Sequence, residues 1–324
     1  MYSYPHIHIN NLFVFVVAEP GKESGVTKKI EAKKLGPITA RDSNQIVVKI
    51  NNPPKSKIKK LQLENEFKAI RGVLRVSLVQ EYLNVIDASL KEALLTNRCV
   101  FFFDIDSTLT QGDPGIIHHK IESIFNKMVD KGIRIFFATG RSMPDLSNLI
   151  QKYPVENYAI AENGGILLGF GTKGYFEFGE IKEPNKVLSY LQTKYGIPED
   201  MRQGTRLTEV IFLQKDVSNS RLNIAVKSTK AQVDIHPSKN SFHISKRGIN
   251  KGTAMLELCN LLHFNNRMII SVGDADMDIP MLEKADYSFA VGNASPGAKK
   301  AAKKVLKGKF EKGIEEIFNL INRV

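Results

Sequence analysis

From Cys99 onward the apolar residues fall into two alternating rhythms. Val100 to Ile105 is a near-continuous apolar run entering acids, the pattern of a strand buried on both faces of a parallel sheet. Ile117, Ile121, Ile124, Phe125 and Met128 follow at helical spacing, and Gly132 is placed to end that helix. Ile133 to Phe137 predicts the next strand, a helix starts near Pro144, and Tyr158 to Ala161 predicts a third strand. Strands alternating with helices imply an α/β fold built on a doubly wound parallel sheet.

Residues 166–245 break this rhythm. Gly169 to Gly179 predicts a hairpin and Val187 to Tyr195 a helix. Glu209 to Leu213, Val233 to Ile235 and Phe242 to Ile244 predict strands, with a helix around Arg221 to Val226 between them. This is the pattern of a self-contained α+β insert. The α/β rhythm then resumes with a helix over Thr253 to Leu262 and strands over Met268 to Val272 and Tyr287 to Val291. An amphipathic helix carrying Phe310, Ile314, Ile317, Phe318 and Ile321 closes the chain.

Residues 1–97 read as a separate α+β module. Leu12 to Ala18 and Ile46 to Ile50 predict strands, and Asn51-Asn52-Pro53-Pro54 is a breaker cluster. Ile58, Leu61, Leu63, Phe67 and Ile70 predict an amphipathic helix; Val73 to Val79 and Tyr82 to Ile86 predict strands, and Ala88 to Leu95 another helix. The order suggests a ferredoxin-like sandwich. No catalytic constellation is visible here. His6 and His8 alternate as on a strand, but a metal site needs more ligands than these two. The domain reading is therefore 1–97, a core of 98–165 plus 246–324, and an insert of 166–245.

Composition adds limits. The chain of 324 residues has a formal net charge of +12. A basic chain raises nucleic acid as a partner, but no nucleic-acid motif or basic–aromatic repeat is present, so that partner is disfavoured. The densest basic run, Lys299, Lys300, Lys303, Lys304, Lys307, Lys309 and Lys312, reads as a solvated helix face. The two cysteines, Cys99 and Cys259, stand in apolar surroundings far apart, which implies no disulfide framework and a reducing cytoplasm. No stretch of about 20 apolar residues predicts a membrane span.

Four local patterns fall at strand ends or helix starts of the α/β half, where such sheets bind ligands. Asp104-Ile105-Asp106-Ser107-Thr108 follows the first buried strand. Acids there are costly unless they bind a cation or work chemically, and a carboxylate can attack phosphorus while its neighbour moves a proton. Thr139-Gly140-Arg141-Ser142 follows the second strand and combines a hydroxyl with the free N–H groups of a turn, as phosphate binding requires. Asn250-Lys251-Gly252-Thr253 opens a helix with a lysine placed to neutralise a carboxylate–phosphate cluster. Gly273-Asp274-Ala275-Asp276-Met277-Asp278 sets three acids on a tight turn, a hard-oxygen arrangement suited to magnesium. Each pattern alone is weak, since solvated acids or an ordinary turn would look the same.

In this order the four resemble the motifs of the haloacid dehalogenase phosphatases, through Asp104, Asp106 and Thr108, then Thr139, then Lys251, then Asp274 and Asp278. An insert between the second and third motifs, the phrase Ala161-Glu162-Asn163-Gly164-Gly165, the segment Arg206-Leu207-Thr208-Glu209 and the phrase Ala290-Val291-Gly292-Asn293-Ala294 resemble the Cof-type sugar-phosphatase group. Residues 98–324 look most like the archaeal phosphoglycolate phosphatases, which are similar to sucrose-phosphate phosphatases. Residues 1–97 have no counterpart in that resemblance. Ser107 stands where many relatives have Gly, and Met277 where they have a metal-supporting Asn.

The resemblance implies a Rossmann-like core with an inserted cap and a cytoplasmic, Mg2+-dependent phosphatase acting on a small phosphorylated metabolite. It implies Asp104 as nucleophile and Asp106 as acid and base. Mg2+ would be held by Asp104, the Asp106 backbone carbonyl and Asp274, with Asp278 carrying a water or orienting Lys251; Asp276 could compensate for Met277. Ser107, Thr108, Thr139, Gly140 and Lys251 would bind phosphate. Arg206, Thr208 and Glu209 are candidate cap contacts, Arg206 for a substrate carboxylate, and Arg141 and Asn163 are candidate links between core and cap. His118 and His119 are read as helix residues. The best substrate is 2-phosphoglycolate; sugar phosphates and phosphorylated glycosyl-glycerates are alternatives. A regulatory binding protein with a decayed phosphatase core is the alternative of a different class, and a homo-oligomer stays open.

Overall fold

The structure, a computed structural model, describes residues 12–322 except 34–37, 43–44, 51–56, 72, 81–87, 97, 112–115, 171–173, 239 and 265. The chain divides into two compact units, Met1–Ala88 and Ser89–Val324. All but the first residue of the helix predicted over Ala88 to Leu95 lies in the second unit.

In the first unit, β1 (Leu12–Ala18), α1 (Glu23–Ala32), β2 (Ile38–Asp42), β3 (Gln45–Ile50), α2 (Lys57–Lys68) and β4 (Val73–Gln80) follow one another. The sheet order is β2-β3-β1-β4, antiparallel throughout. This is the split βαβ arrangement of the ferredoxin-like sandwich. Val16, Ala18, Ile46 and Val48 from the sheet bury against Val26 and Ile30 of α1 and Phe67 of α2. Sequence periodicity missed α1 and β2. Helix α1 buries only Val26, Thr27 and Ile30, and β2 is short with a register shift between Ile38 and Ala40. The strand expected over Tyr82 to Ile86 and the pair His6 and His8 lie outside the described residues.

The second unit contains α3 (Ala88–Leu95), β5 (Cys99–Phe103), β6 (Thr110–Gln111), β7 (Ile116–Ile117), α4 (His119–Val129), β8 (Arg134–Phe137), α5 (Met143–Lys152), β9 (Ala159–Ala161), β10 (Ile166–Leu168), β11 (Tyr175–Glu177) and α6 (Lys182–Tyr195). It continues with β12 (Glu209–Leu213), α7 (Asn219–Thr229), β13 (Val233–Pro237), β14 (Ser241–Lys246), α8 (Lys251–Leu261), β15 (Met268–Gly273), α9 (Ile279–Lys284), β16 (Tyr287–Ala290), α10 (Pro296–Ala301), β17 (Lys304–Val305) and α11 (Glu311–Asn322).

The main sheet is parallel, ordered β17-β16-β15-β5-β8. Every residue of β5 is buried, as an apolar strand flanked on both edges and covered on both faces must be. Phe102 stacks on Phe136 of β8 with ring centroids 4.9 Å apart, and Phe101 stacks on Phe103 at 5.6 Å. Full burial of each such side chain stabilises by roughly 1.5–3 kcal/mol. Helix α4 turns Ile121, Ile124, Phe125 and Met128 inward, and its N-cap is His118, whose Nδ1 accepts from Lys120 N.

Three expectations change. Among the described residues, strand β9 pairs with the main sheet through one parallel bridge from Ile160 to Ala138; its full partner is β10. The hairpin β10–β11 therefore joins β9, and Leu167 packs in the core cluster with Phe102 and Phe136. The insert's own core begins at Val187, beyond the predicted boundary of 166. It packs helices α6 and α7 on the antiparallel sheet β12-β14-β13. The lysine run is spread over α10, β17, the following turn and the start of α11, so it is not one helix face.

Candidate active site

After β5 the chain crosses through α4 to β8 on one side, and the later strand β15 lies on the other side of β5. The strand order thus reverses between β5 and β15, where open α/β sheets form their ligand crevice. Asp104 leaves β5 at this point, its backbone N–H donating to the carbonyl of Val272 at 2.9 Å. Asp274 leaves β15 directly opposite.

Lys251 joins the two. It is the first residue of α8, whose start is fixed by reciprocal bonds: Asn250 Oδ1 accepts from Thr253 N at 2.9 Å, and Thr253 Oγ1 accepts from Asn250 N at 3.1 Å. Lys251 Nζ donates to Asp104 Oδ1 at 2.6 Å and to Asp278 Oδ1 at 2.7 Å. The second oxygen of Asp278 accepts from the N–H groups of Asp274 and Ala275, each at 2.9 Å. Thr108 Oγ1 donates to Asp274 Oδ1 at 2.9 Å.

Asp104, Lys251 and Asp278 are almost fully buried. Burial, and then the nearby Asp278, push the Asp104 carboxyl well above its ordinary range despite Lys251. Burial and Asp278 likewise raise Asp274 to about 6. Burial alone would depress Lys251, but Asp104 and Asp278 outweigh it and raise its pKa.

This donor set fits a divalent cation. Oxygens of Asp104, Asp274 and Asp278 all lie within 4.8 Å of one another. Three buried carboxylates face one ammonium, so two negative charges go unbalanced when all ionise. A hard dication offsets that excess, and carboxylate oxygens are the ligands it prefers. Asp278 already spends both oxygens on Lys251 and the backbone, so Asp104 and Asp274 are the better placed ligands. Asp276 does not enter the cluster: it accepts from the Ser295 hydroxyl at 2.5 Å.

Asp106 is exposed and stands apart from the three buried acids, its carboxylate held by Arg141. Thr139 is fully buried, with its hydroxyl accepting from Arg141 N at 3.1 Å. Gly140 has no room for a side chain: a Cβ there would lie 2.8 Å from Asn163 Oδ1. Ser107 adopts a left-handed φ of 64°, and its N–H donates to Thr110 Oγ1 at 3.0 Å.

The predicted cap contacts form a buried polar network with the core. Arg206 pairs with Glu209 and donates to the Gly140 carbonyl at 2.5 Å. Arg206 therefore faces an acid of its own chain through Nη1, while its Nε has no hydrogen-bond partner among the described residues. Asn163 Nδ2 donates to Glu209 Oε2 at 3.0 Å, and His243 Nδ1 lies 3.2 Å from both Glu209 oxygens. Burial alone would raise Glu209, but His243 and Arg206 bring it down to about 2. Asn163 thus bonds the insert residue Glu209 from the core, and Arg141 pairs with Asp106.

Glu162 ties the core to the insert. It is fully buried and accepts from the N–H groups of Leu207 and Thr208 and from the Thr208 hydroxyl, the last at 2.8 Å. Gly165 is required beneath it, since a Cβ there would lie 1.8 Å from Thr208 Oγ1. His243 and Glu162 were missed because their partners lie 34 to 46 residues away in sequence. The one available signal was an acid followed by Asn-Gly-Gly; Glu162 and Asn163 both take left-handed φ values, 48° and 53°.

Comparison with known proteins gives this geometry a family. The model of the haloacid dehalogenase-like hydrolases matches residues 101–175 and 179–318, spanning all four motifs. A phosphoglycolate phosphatase of Nitrosopumilus maritimus is 28% identical over 202 residues, 62% of this chain and 87% of that protein. A solved Thermoplasma acidophilum protein superposes with a TM-score of 0.61 at 21% identity, over 70% of this chain and 99% of that one. The structure of a haloacid dehalogenase subclass IIB sugar phosphatase gives a TM-score of 0.56 at 19% identity, over 70% and 100%. The chain belongs to the haloacid dehalogenase-like hydrolases.

Proposed function

We propose that the protein is a Mg2+-dependent phosphatase that hydrolyses a small phosphomonoester through a phosphorylated Asp104, with 2-phosphoglycolate as its preferred substrate. The observation that carries the reading is the buried cluster of Asp104, Asp274 and Asp278 around Lys251 at the strand-order reversal. Support for the substrate comes from the curated relatives named phosphoglycolate phosphatases.

Lys251 holds Oδ1 of Asp104, so attack on phosphorus is assigned to Oδ2. Bound between Asp104 and Asp274, Mg2+ would screen the repulsion between a carboxylate and a phosphate dianion. Lys251 and the Thr139 hydroxyl hold the phosphoryl oxygens, joined by the turn N–H groups of Ser107 and Thr108 once these exchange their bonds to Thr110 Oγ1 and the Ile105 carbonyl for bonds to phosphate. Positioning and charge stabilisation supply most of the rate in such transfers. Asp106 gives a proton to the leaving oxygen as the phosphorus–oxygen bond breaks. Asp106 then takes a proton from the water that hydrolyses the acyl phosphate, returning Asp104 to its carboxylate. The insert over the site acts as a cap that selects the leaving group.

A sugar phosphate is the second reading. Arg206 Nε and Asn163 Oδ1, a donor and an acceptor, are buried without a hydrogen-bond partner in the core–cap network, and together they suit a hydroxylated leaving group. The test is phosphate release from a panel holding 2-phosphoglycolate, several sugar phosphates and 4-nitrophenyl phosphate, with Mg2+ and with EDTA. Magnesium-dependent release led by 2-phosphoglycolate supports the first reading, and release led by a sugar phosphate the second. No release from any ester would leave the decayed, regulatory alternative.

A further inference from the structure

We infer that Asn293 is a positioning residue for the phosphate-binding turn, acting through the peptide that joins Ser107 to Thr108. The inference rests on the phosphatase reading above. Asn293 lies after β16, in a loop that touches none of the buried acids through its side chain. Its carboxamide is used at both ends. Nδ2 donates to the Ser107 carbonyl at 2.7 Å, and Oδ1 accepts from the N–H of Phe310 at 2.9 Å. The first bond spans 186 residues of sequence and the second 17, so one side chain ties the turn after β5 to the segment before α11.

The grip falls where the turn is strained. Ser107 has φ 64°, a conformation that a residue with a Cβ adopts only at a cost. Its side chain is exposed, so packing does not hold it there. The peptide after it is planar, so fixing the Ser107 carbonyl also fixes the direction of the Thr108 N–H, which otherwise has only a long bond of 3.3 Å to the Ile105 carbonyl. Thr108 then bonds Asp274 through its hydroxyl at 2.9 Å. The same loop braces the other side of the site. Ser295 N donates to the Asp274 carbonyl at 2.7 Å, and the Ser295 hydroxyl donates to Asp276. Asn293 thus holds the first motif, and Ser295 the fourth, from one turn. Without the Asn293 donor, Ser107 relaxes toward negative φ and the turn loses its phosphate-binding shape.

The test is a double-mutant cycle with 4-nitrophenyl phosphate, using Asn293→Ala, Asn293→Asp, Ser107→Gly and the pair Ser107→Gly with Asn293→Ala. Asn293→Asp keeps the acceptor for Phe310 and loses the donor to Ser107, which separates the turn from any general loss of fold. Both single changes at 293 are expected to lower kcat/KM about tenfold, with a parallel rise in the inhibition constant of inorganic phosphate. In the Ser107→Gly background the same Asn293→Ala change is expected to cost about threefold or less, because glycine adopts the left-handed turn unaided. An Asn293→Asp protein as active as the wild type would overturn the inference. So would an Asn293→Ala loss that is equally large in both backgrounds. A wild type with no turnover would overturn the phosphatase reading itself, and this inference with it.

Discussion

Arg141 grips both carboxylate oxygens of Asp106, Nε to Oδ2 at 2.9 Å and Nη2 to Oδ1 at 2.5 Å. Both carboxylate oxygens accept in such a fork, which leaves neither free to reach the leaving oxygen. Such a carboxylate suits the second half of the proposed cycle, when Asp106 takes a proton from water. For the first half, Arg141 must release Asp106 to the leaving oxygen. The pair therefore matches the state Asp106 has in the phosphorylated enzyme, before it takes its proton from water. Arg141→Ala should slow hydrolysis of the phosphorylated enzyme about tenfold while sparing its formation. Stopped-flow with 4-nitrophenyl phosphate should then show a burst of one leaving group per enzyme and a slower steady state. A steady state at the wild-type rate contradicts this role.

Asp106→Asn removes the acid itself. Its effect should depend on the leaving group, because 4-nitrophenolate departs unprotonated and an alkoxide does not. The loss in kcat/KM should be about a hundredfold or more for an alkyl phosphate and clearly smaller for 4-nitrophenyl phosphate. Equal losses on both esters would show that Asp106 moves no proton to the leaving oxygen.

Asp104→Asn should abolish turnover and yet stabilise the fold when chelator is present. The change removes one of three buried carboxylates, and Lys251 keeps Asp278 as its partner. Relief of the repulsion should raise the melting temperature in EDTA by roughly 2–4 °C. Calorimetry of the two proteins decides it. A lower melting temperature would mean that the Asp104–Lys251 pair outweighs the repulsion among the acids.

Divalent cations should stabilise the wild type without any substrate. Ligand that binds only the folded state raises stability by about 2.7 kcal/mol at a hundred times its dissociation constant. Magnesium should therefore raise the wild-type melting temperature, and Asp274→Asn should remove most of that rise. An equal rise in both proteins would place the cation elsewhere.

The core–cap network has its own pH signature. Glu209 ionises at about 2 in the fold against an ordinary 4.5. Its pKa is depressed, so its contribution is fully present above the unfolded value. That contribution is lost as pH falls through 4.5 toward 2. The shift corresponds to roughly 3 kcal/mol at neutral pH. Burial raises the Glu162 carboxyl, which acts in the opposite sense, so the wild-type acid limb is a sum. Glu209→Gln should lower stability at neutral pH and flatten the loss on acidification. Denaturant titrations at several pH values measure both, and an unchanged acid limb would show that Glu209 is not held ionised by His243 and Arg206.

Much of the core was legible because strand ends are legible. An apolar run such as Val100 to Ile105 has to be a buried parallel strand, and acids at its end need a chemical reason. That logic located Asp104, Thr139, Lys251 and Asp274 from local signals, and the structure brings Asp104, Lys251 and Asp274 together. Partner choice was not legible. Arg206 and Glu209 sit three residues apart and neutralise one another, while Arg141 reaches back 35 residues to Asp106. Nothing in periodicity distinguishes an arginine that meets a substrate from one that meets its own chain. The lysine run failed for a related reason. Its spacing through Ala and Val is helical, but the residues belong to several short elements around the edge strand β17.

The most direct test of the account is rapid acid quench of the wild type during turnover of 4-nitrophenyl phosphate with Mg2+, followed by peptide mapping. The account predicts one phosphoryl group, labile to base and hydroxylamine as acyl phosphates are, on the peptide containing Asp104 and absent in Asp104→Asn. Steady turnover with no trapped phosphoryl group, or a group trapped on another residue, would contradict Asp104 as the nucleophile.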